Sequence, residues 1–459
     1  MPNERDEGYL TKDEWIKIGD LTRQCADSCR IDPKFYSQYD VKKGLRDLDG
    51  RGVLAGLTEI SEVKATAEAD GKRVPAPGEL YYRGYNVNDL VKGFLTDKRF
   101  GFEEATYLLL TGKLPSAREL RSFCDLLGEF YTLPKNFVRD IIMKSPSEDM
   151  MNSLMRCVIS LFPYDPNPNN TAPDNVMRQC LQLIAQVPIF SVYSYAASSF
   201  YNKSDSLVIH RPRTDLSMAE NILYMLRQDC SYTELEARVL DMALVLHAEH
   251  GGGNNSSFTT HVVTSSGTDT YSAIVAALAS LKGPRHGGAN IRVMRMFEDM
   301  KVNIDTRDDD QLRAYLEALV DGKAFDRAGL IYGIGHAVYS ISDPRAKIFK
   351  GFVEKLSYEK GLHDEYDLYA RVEQFAPEII SKKRKMYKGV SANVDFYSGF
   401  AYSMLNIPIE LYTPIFAIAR MAGWSAHRME ELVNAGKIIR PAYQAVAEHR
   451  EYVPIKDRK

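Results

Sequence analysis

Tyr232-Thr-Glu-Leu-Glu-Ala-Arg-Val-Leu-Asp-Met-Ala-Leu-Val-Leu-His247-Ala-Glu-His250-Gly-Gly-Gly-Asn254 reads as one strongly apolar helix that stops on histidines and glycines. Its apolar residues recur at helical spacing rather than in alternation. The glycines end it as a C-cap would. His247 and His250, three apart, share a face. A helix end that carries histidine beside a permissive loop is a place where a ligand can sit.

The helical texture continues outward. Phe102–Leu110, Ala117–Tyr131, Val176–Tyr201 and Met218–Leu226 carry helical signals, with boundaries at clusters such as Pro163-Tyr-Asp-Pro-Asn-Pro-Asn-Asn170. A second group of amphipathic helices runs from about 290 to 405. No alternation of strand and helix suggests a parallel sheet. The β signal is confined to Val53–Val63 and Glu79–Tyr85, short strands around a Gly- and Pro-rich turn. Thr11-Lys-Asp-Glu14 is a capping box that opens an amphipathic helix with Trp15, Ile18, Leu21 and Cys25 on one face. The expected fold is all-α with a small antiparallel β element near the N-terminus.

Composition narrows the function classes. The 459 residues carry a net charge of −3, with 26% charged and 45% hydrophobic residues. That suits a globular chain of more than one domain and argues against a nucleic-acid partner, which would need a basic face. No run of 18 apolar residues occurs, so no membrane partner is expected. The N-terminus is polar, and the six cysteines are scattered at 25, 29, 124, 157, 180 and 230. A reduced, cytoplasmic setting is the expectation.

Five further stretches carry chemistry. Gly329-Leu-Ile331-Tyr-Gly333-Ile-Gly335-His336 leads to Asp343-Pro-Arg345. Pro344 disfavours helix at Asp343, so the chain turns there. His336 could polarise a carbonyl and Arg345 could grip a carboxylate bidentately; the alternative is a helix N-terminus with a satisfied histidine and a surface arginine. Lys282-Gly-Pro-Arg-His286-Gly-Gly-Ala-Asn290 places His286 on a tight turn before the helix Ile291–Met300. The helix dipole would keep that imidazole neutral, able to donate to a developing enolate; or His286 caps the helix. Ser391-Ala-Asn393-Val-Asp395 offers a general base beside Phe396 and Tyr397, or an ordinary N-cap. Leu411–His427 is nearly all apolar except Arg420, whose buried charge needs an internal carboxylate or an anionic substrate. Lys437-Ile-Ile-Arg440-Pro is a further short motif. A zinc site of His247, His250 and His261 lacks HExxH spacing and nearby cysteine, which leaves it the weaker reading.

Together HAEHGGGN, GPRHGGAN, GIGHAVYSISDPRA, NVDFYSG, FAIAR and IIRP resemble the citrate synthase family, which includes 2-methylcitrate synthases; the resemblance runs from about 50 to 445. It implies an all-α fold with an N-terminal helical extension at 1–45, a large domain at 46–286 and 407–459, and a small domain at 287–406. It implies a homodimer with shared active sites that condenses acetyl-CoA with oxaloacetate and hydrolyses the thioester. Propionyl-CoA as substrate, or a non-catalytic dicarboxylate- or CoA-binding homologue, are the alternatives. The implied catalytic residues are Asp395 as base, His286 at the thioester oxygen and His336 at the ketone. His250, Arg345 and Arg420 would bind oxaloacetate, and Arg440 would reach in from the other subunit. Arg51, Ile331, Gly333, Gly335 and Asn393 would lie near CoA, which is a substrate. No cofactor and no metal is implied. Ala442 departs from the family, which often has a basic residue there.

Overall fold

A computed structural model describes residues 10–47, 52–336, 338–384, 389–434 and 436–458. Seventeen α-helices and one three-stranded sheet occur among them. The chain forms two compact units, Met1–Ala55 with Arg440–Lys459, and Gly56–Ile439.

In the first unit, the capping box at the helix Lys12–Ser28 forms as expected. Thr11 Oγ1 accepts from the Glu14 amide, and Glu14 Oε2 accepts from the Thr11 amide at 2.7 Å. The helix is amphipathic, yet none of its residues is buried. Arg440 lies in this unit and is exposed. Arg51 lies outside the described residues.

In the second unit, β1 (Ser61–Ala69), β2 (Lys72–Tyr82) and β3 (Tyr85–Asn86) form an antiparallel meander in the order β1-β2-β3. The strands differ from the expected segments: Val53–Ile60 forms no strand, and Leu54 and Leu57 are 85% and 90% exposed. The hairpin instead turns on Asp70-Gly71, both at positive φ, 51° and 69°. Asp-Gly is a favoured two-residue hairpin turn because its twist matches that of the strands.

The helices follow the apolar periodicity. The predicted helix at 176–201 spans Pro173–Lys203, and the one at 232–247 spans Glu234–His247, capped by Thr233 with Glu236. Pro173–Lys203 is long and apolar enough to cross a membrane, but 83% of its most apolar window is buried inside the protein. It packs against the helix Tyr412–Asn434, which is buried along its first 17 residues, Tyr412 to Arg428. Helix Glu234–His247 packs on the same central helix. These contacts bring the end of one helix, with His247 and His250, beside Arg420 on another.

Candidate active site

The loop after Glu234–His247 is fixed from two sides. The Tyr82 hydroxyl donates to the carbonyls of Val245 at 2.9 Å and Glu249 at 3.2 Å, so a strand residue satisfies carbonyls that a helix end leaves open. On the other side the central helix comes very close at Gly423. A Cβ there would stand 2.5 Å from the Ala248 carbonyl oxygen and 2.3 Å from Glu249 Oε2. Only glycine allows this approach.

Arg420 is fully buried on that helix. Its Nε donates to the His247 carbonyl at 2.7 Å, while Nη1 and Nη2 have no hydrogen-bond partner. Burial lowers its pKa and the Glu249 carboxylate opposes that. Both His247 nitrogens and His250 Nε2 are also buried without partners. Burial, followed by the charge of Arg345, holds both imidazoles well below the usual histidine pKa, hence neutral. Unpartnered buried donors are costly and rare in native proteins. Grouped here, they make a polar, electropositive recess suited to an anion.

His336 joins this recess. Its ring lies edge-on to His250 with centroids 5.1 Å apart and stacks on Tyr339 at 4.8 Å. His336 Nδ1 accepts from the amides of Val338 at 3.0 Å and Tyr339 at 3.1 Å. An acceptor nitrogen carries no proton, so the ring's proton sits on Nε2. The helix N-terminus of the alternative reading is present, with Asp343 capping Pro344–Glu359, but Arg345 is buried rather than a surface arginine.

Arg345 is buried and already paired. Its Nε and Nη2 meet Asp343 Oδ1 and Oδ2 at 3.1 and 2.7 Å. Burial works against its charge, but Asp343 more than compensates and raises its pKa. Only Nη1 remains without a hydrogen bond among the described residues, so the expected bidentate grip on a substrate is taken by Asp343. Monodentate contact from Nη1 is what the geometry leaves.

The segments 331–336 and 391–395 are laced together. Gly335 N donates to Ser391 O at 2.8 Å, Asn393 N to Gly333 O at 2.9 Å, and Asn393 Nδ2 to Gly335 O at 2.9 Å. Gly333 has φ 79°, and a Cβ there would lie 2.8 Å from the Phe396 ring. Ile331 is buried beneath this turn. The N-cap of Val394–Met404 is Asn393, which accepts from the Asp395 amide at 3.0 Å. Asp395 is therefore not the cap. Its carboxylate accepts no hydrogen bond among the described residues. Burial pushes its pKa up to about 6, Arg345 pulls it down, and Asp343 pushes it up.

His286 does not cap its helix either; Gly288 does, without a side-chain bond. His286 is neutral, with a pKa lowered to about 4 by burial and then by Arg420, rather than chiefly by a helix dipole. Its Nε2 lies 3.0 Å from Ser256 Oγ, which is itself 2.9 Å from Asn254 Oδ1. Ser256, Tyr339 and Tyr82 were not singled out in the sequence, and Asp343 was read only as the turn residue before Pro344. Only Asp343, two residues before Arg345, carried a legible signal.

His247 and His250 do not join His261 in a metal-ligating group among the described residues.

A family profile described as "Citrate synthase, C-terminal domain" matches residues 45–442. The chain belongs to the citrate synthase family. It is an acyltransferase of that family. It is 34% identical over 425 residues to a citrate synthase of Haloferax volcanii, covering 91% of this chain and 99% of that one. It is 32% identical over 429 residues to 2-methylcitrate synthase 1 of Corynebacterium glutamicum, covering 92% and 100%. Its fold superposes with a TM-score of 0.73, at 28% identity and with 91% and 99% coverage, on citrate synthase of Thermoplasma acidophilum solved with carboxymethyl coenzyme A and oxaloacetate.

Proposed function

We propose that the chain condenses acetyl-CoA with oxaloacetate and hydrolyses the resulting thioester to citrate and CoA. The observation that carries this reading is Arg420, fully buried with two unpartnered guanidinium nitrogens beside His250 and His336. A dicarboxylate supplies the missing acceptors. His250 and Nη1 of Arg345 complete its contacts.

Asp395 removes a proton from the acetyl methyl group. A base with pKa about 6 is ionised at neutral pH, yet basic enough to assist. His286, neutral, donates a ring N–H to the thioester oxygen as the enol develops. The enol carbon then attacks the oxaloacetate ketone, whose oxygen takes a hydrogen bond from His336 Nε2–H. As the thioester carbonyl re-forms and the enol proton returns to His286, the ketone oxygen takes a proton by way of His336 and becomes the hydroxyl of citryl-CoA; water then cleaves the thioester, its OH going to the acyl carbon and its proton to the CoA thiol. The protein's own donors supply the electrostatics; CoA enters as a substrate, near Ile331, Gly333, Gly335 and Asn393.

We further place these groups on two domains, 46–286 with 407–459 and 287–406, that close on oxaloacetate. The working form is a homodimer in which Arg440 completes the partner's site. The near-equal similarity to a 2-methylcitrate synthase keeps propionyl-CoA as a second reading. Parallel assays with both thioesters and oxaloacetate, following free CoA thiol, decide it. Higher kcat/KM with acetyl-CoA supports the proposal; a clear preference for propionyl-CoA makes the chain a 2-methylcitrate synthase.

A further inference from the structure

Behind the site lies a second cluster that the reaction does not use. His261, on the helix Asn255–Thr264, faces His427 and Glu430 on Tyr412–Asn434. One ligand atom from each falls within 4.8 Å of the others. His261 Nε2 is 3.0 Å from His427 Nδ1, and Glu430 Oε2 is 3.8 Å from His427 Nδ1. The opposite nitrogen of each imidazole is held by a carboxylate, His261 Nδ1 by Glu431 at 2.8 Å and His427 Nε2 by Glu249 at 3.0 Å. Glu430 Oε1 accepts from the Glu59 amide at 2.7 Å, while Oε2 is buried with no hydrogen-bond partner.

We propose that His261, His427 and Glu430 form a binding site for a divalent transition-metal ion of the zinc class. Two nitrogens about 2.0–2.1 Å from a tetrahedral metal stand about 3.3 Å apart, so the rings need to move only a few tenths of an ångström, while Glu430 Oε2, 3.8 Å from His427 Nδ1, has to swing inward. Carboxylates behind both imidazoles match the usual support of metal-binding histidines, fixing ring orientation and raising ligand basicity. Glu430 Oε2, which meets His427 only at 3.8 Å and has no hydrogen bond, gains a close partner.

Charge points the same way. The carboxylates of Glu249, Glu430 and Glu431 surround the two imidazoles, a negative setting that a divalent ion offsets. His261 and Glu431, at 12% and 19% side-chain exposure, give an entry path. The ion would clip the two helices together and, through Glu249, brace the loop that presents His250. It takes no part in the condensation.

The test uses the full chain with Cys25→Ser and Cys29→Ser, which removes the exposed thiol pair 3.8 Å apart as a competing ligand. The protein is stripped with chelator, then titrated calorimetrically with ZnCl2 and spectroscopically with CoCl2. Saturation near one equivalent per chain, tetrahedral ligand-field bands and a raised Tm support the proposal, provided His261→Gln and Glu430→Gln abolish them. Glu431→Gln should weaken binding about 10–100-fold. Absence of saturable binding, or equal binding by both ligand variants, overturns it. Should a variant fail to fold, the cobalt spectrum of the parent decides: octahedral bands or none overturn the site.

Discussion

Replacing Asp395 by Asn separates chemistry from stability. Burial holds the carboxyl at about 6 in the folded chain against 3.8 for the ordinary group. A shift of that size corresponds to about 3 kcal/mol. The side chain keeps partial solvent contact, so about 2 kcal/mol is the better figure. The sign follows from proton linkage. Below pH 3.8 the group is protonated in both folded and unfolded states and costs nothing; as pH rises through 6 the folded state holds an ionised carboxylate in a poor environment, and stability falls. Asp395→Asn should therefore raise stability above pH 6 and leave it unchanged near pH 3. Unfolding entropy of about 2.1 cal/mol/K per residue gives about 1 kcal/mol/K for this chain, so Tm should rise by about 2 °C at pH 7.5. Turnover should fall about 10²–10⁴-fold, the usual worth of a general base, with oxaloacetate affinity retained. Scanning calorimetry at both pH values, with steady-state assays, reads all three. A variant that is less stable at pH 7.5, or that keeps its turnover, refutes the reasoning.

Arg420→Leu should raise the KM for oxaloacetate at least about tenfold, since each hydrogen bond to a charged group is worth about 1.5–3 kcal/mol; titration calorimetry of oxaloacetate binding checks it. In a pH–rate profile, kcat/KM should fall with unit slope below about pH 6 as Asp395 takes up its proton; a plateau down to pH 5 contradicts that. Gly423→Ala drives a methyl group against the Ala248 carbonyl and should cost about 1–3 kcal/mol in denaturant unfolding. Mixed dimers of Arg440→Ala and Asp395→Asn subunits should regain activity that neither parent has; no recovery after verified exchange places Arg440 within its own chain's function.

The helices were legible because burial imposes a period. Glu234–His247 and Met218–Leu226 follow from apolar spacing and capping boxes, which are local. The sheet was legible, but its first strand was misplaced because Val53, Leu54 and Leu57 look like strand residues and are exposed, whereas the Asp70-Gly71 turn that sets the register went unread. At the site, the sequence pointed to the histidines, arginines and Asp395, but not to their partners. Asp343 takes both prongs of Arg345, and Glu249 pairs with His427 across 178 positions. No periodicity reports a pairing made by tertiary packing. The cap assignments show the same limit: Asn393 and Asp395 both fit an N-cap by residue type, and only backbone geometry chose Asn393.

Incubation of the protein with methyl-13C acetyl-CoA and oxaloacetate, followed by NMR, tests the proposed condensation most directly. The proposal predicts 13C in a methylene carbon of citrate, formed in step with free CoA and lost in Asp395→Asn and His286→Ala. Labelled acetate in place of citrate would make the chain a thioesterase, and bound but unreacted substrates would make it a binding protein; either result contradicts the account.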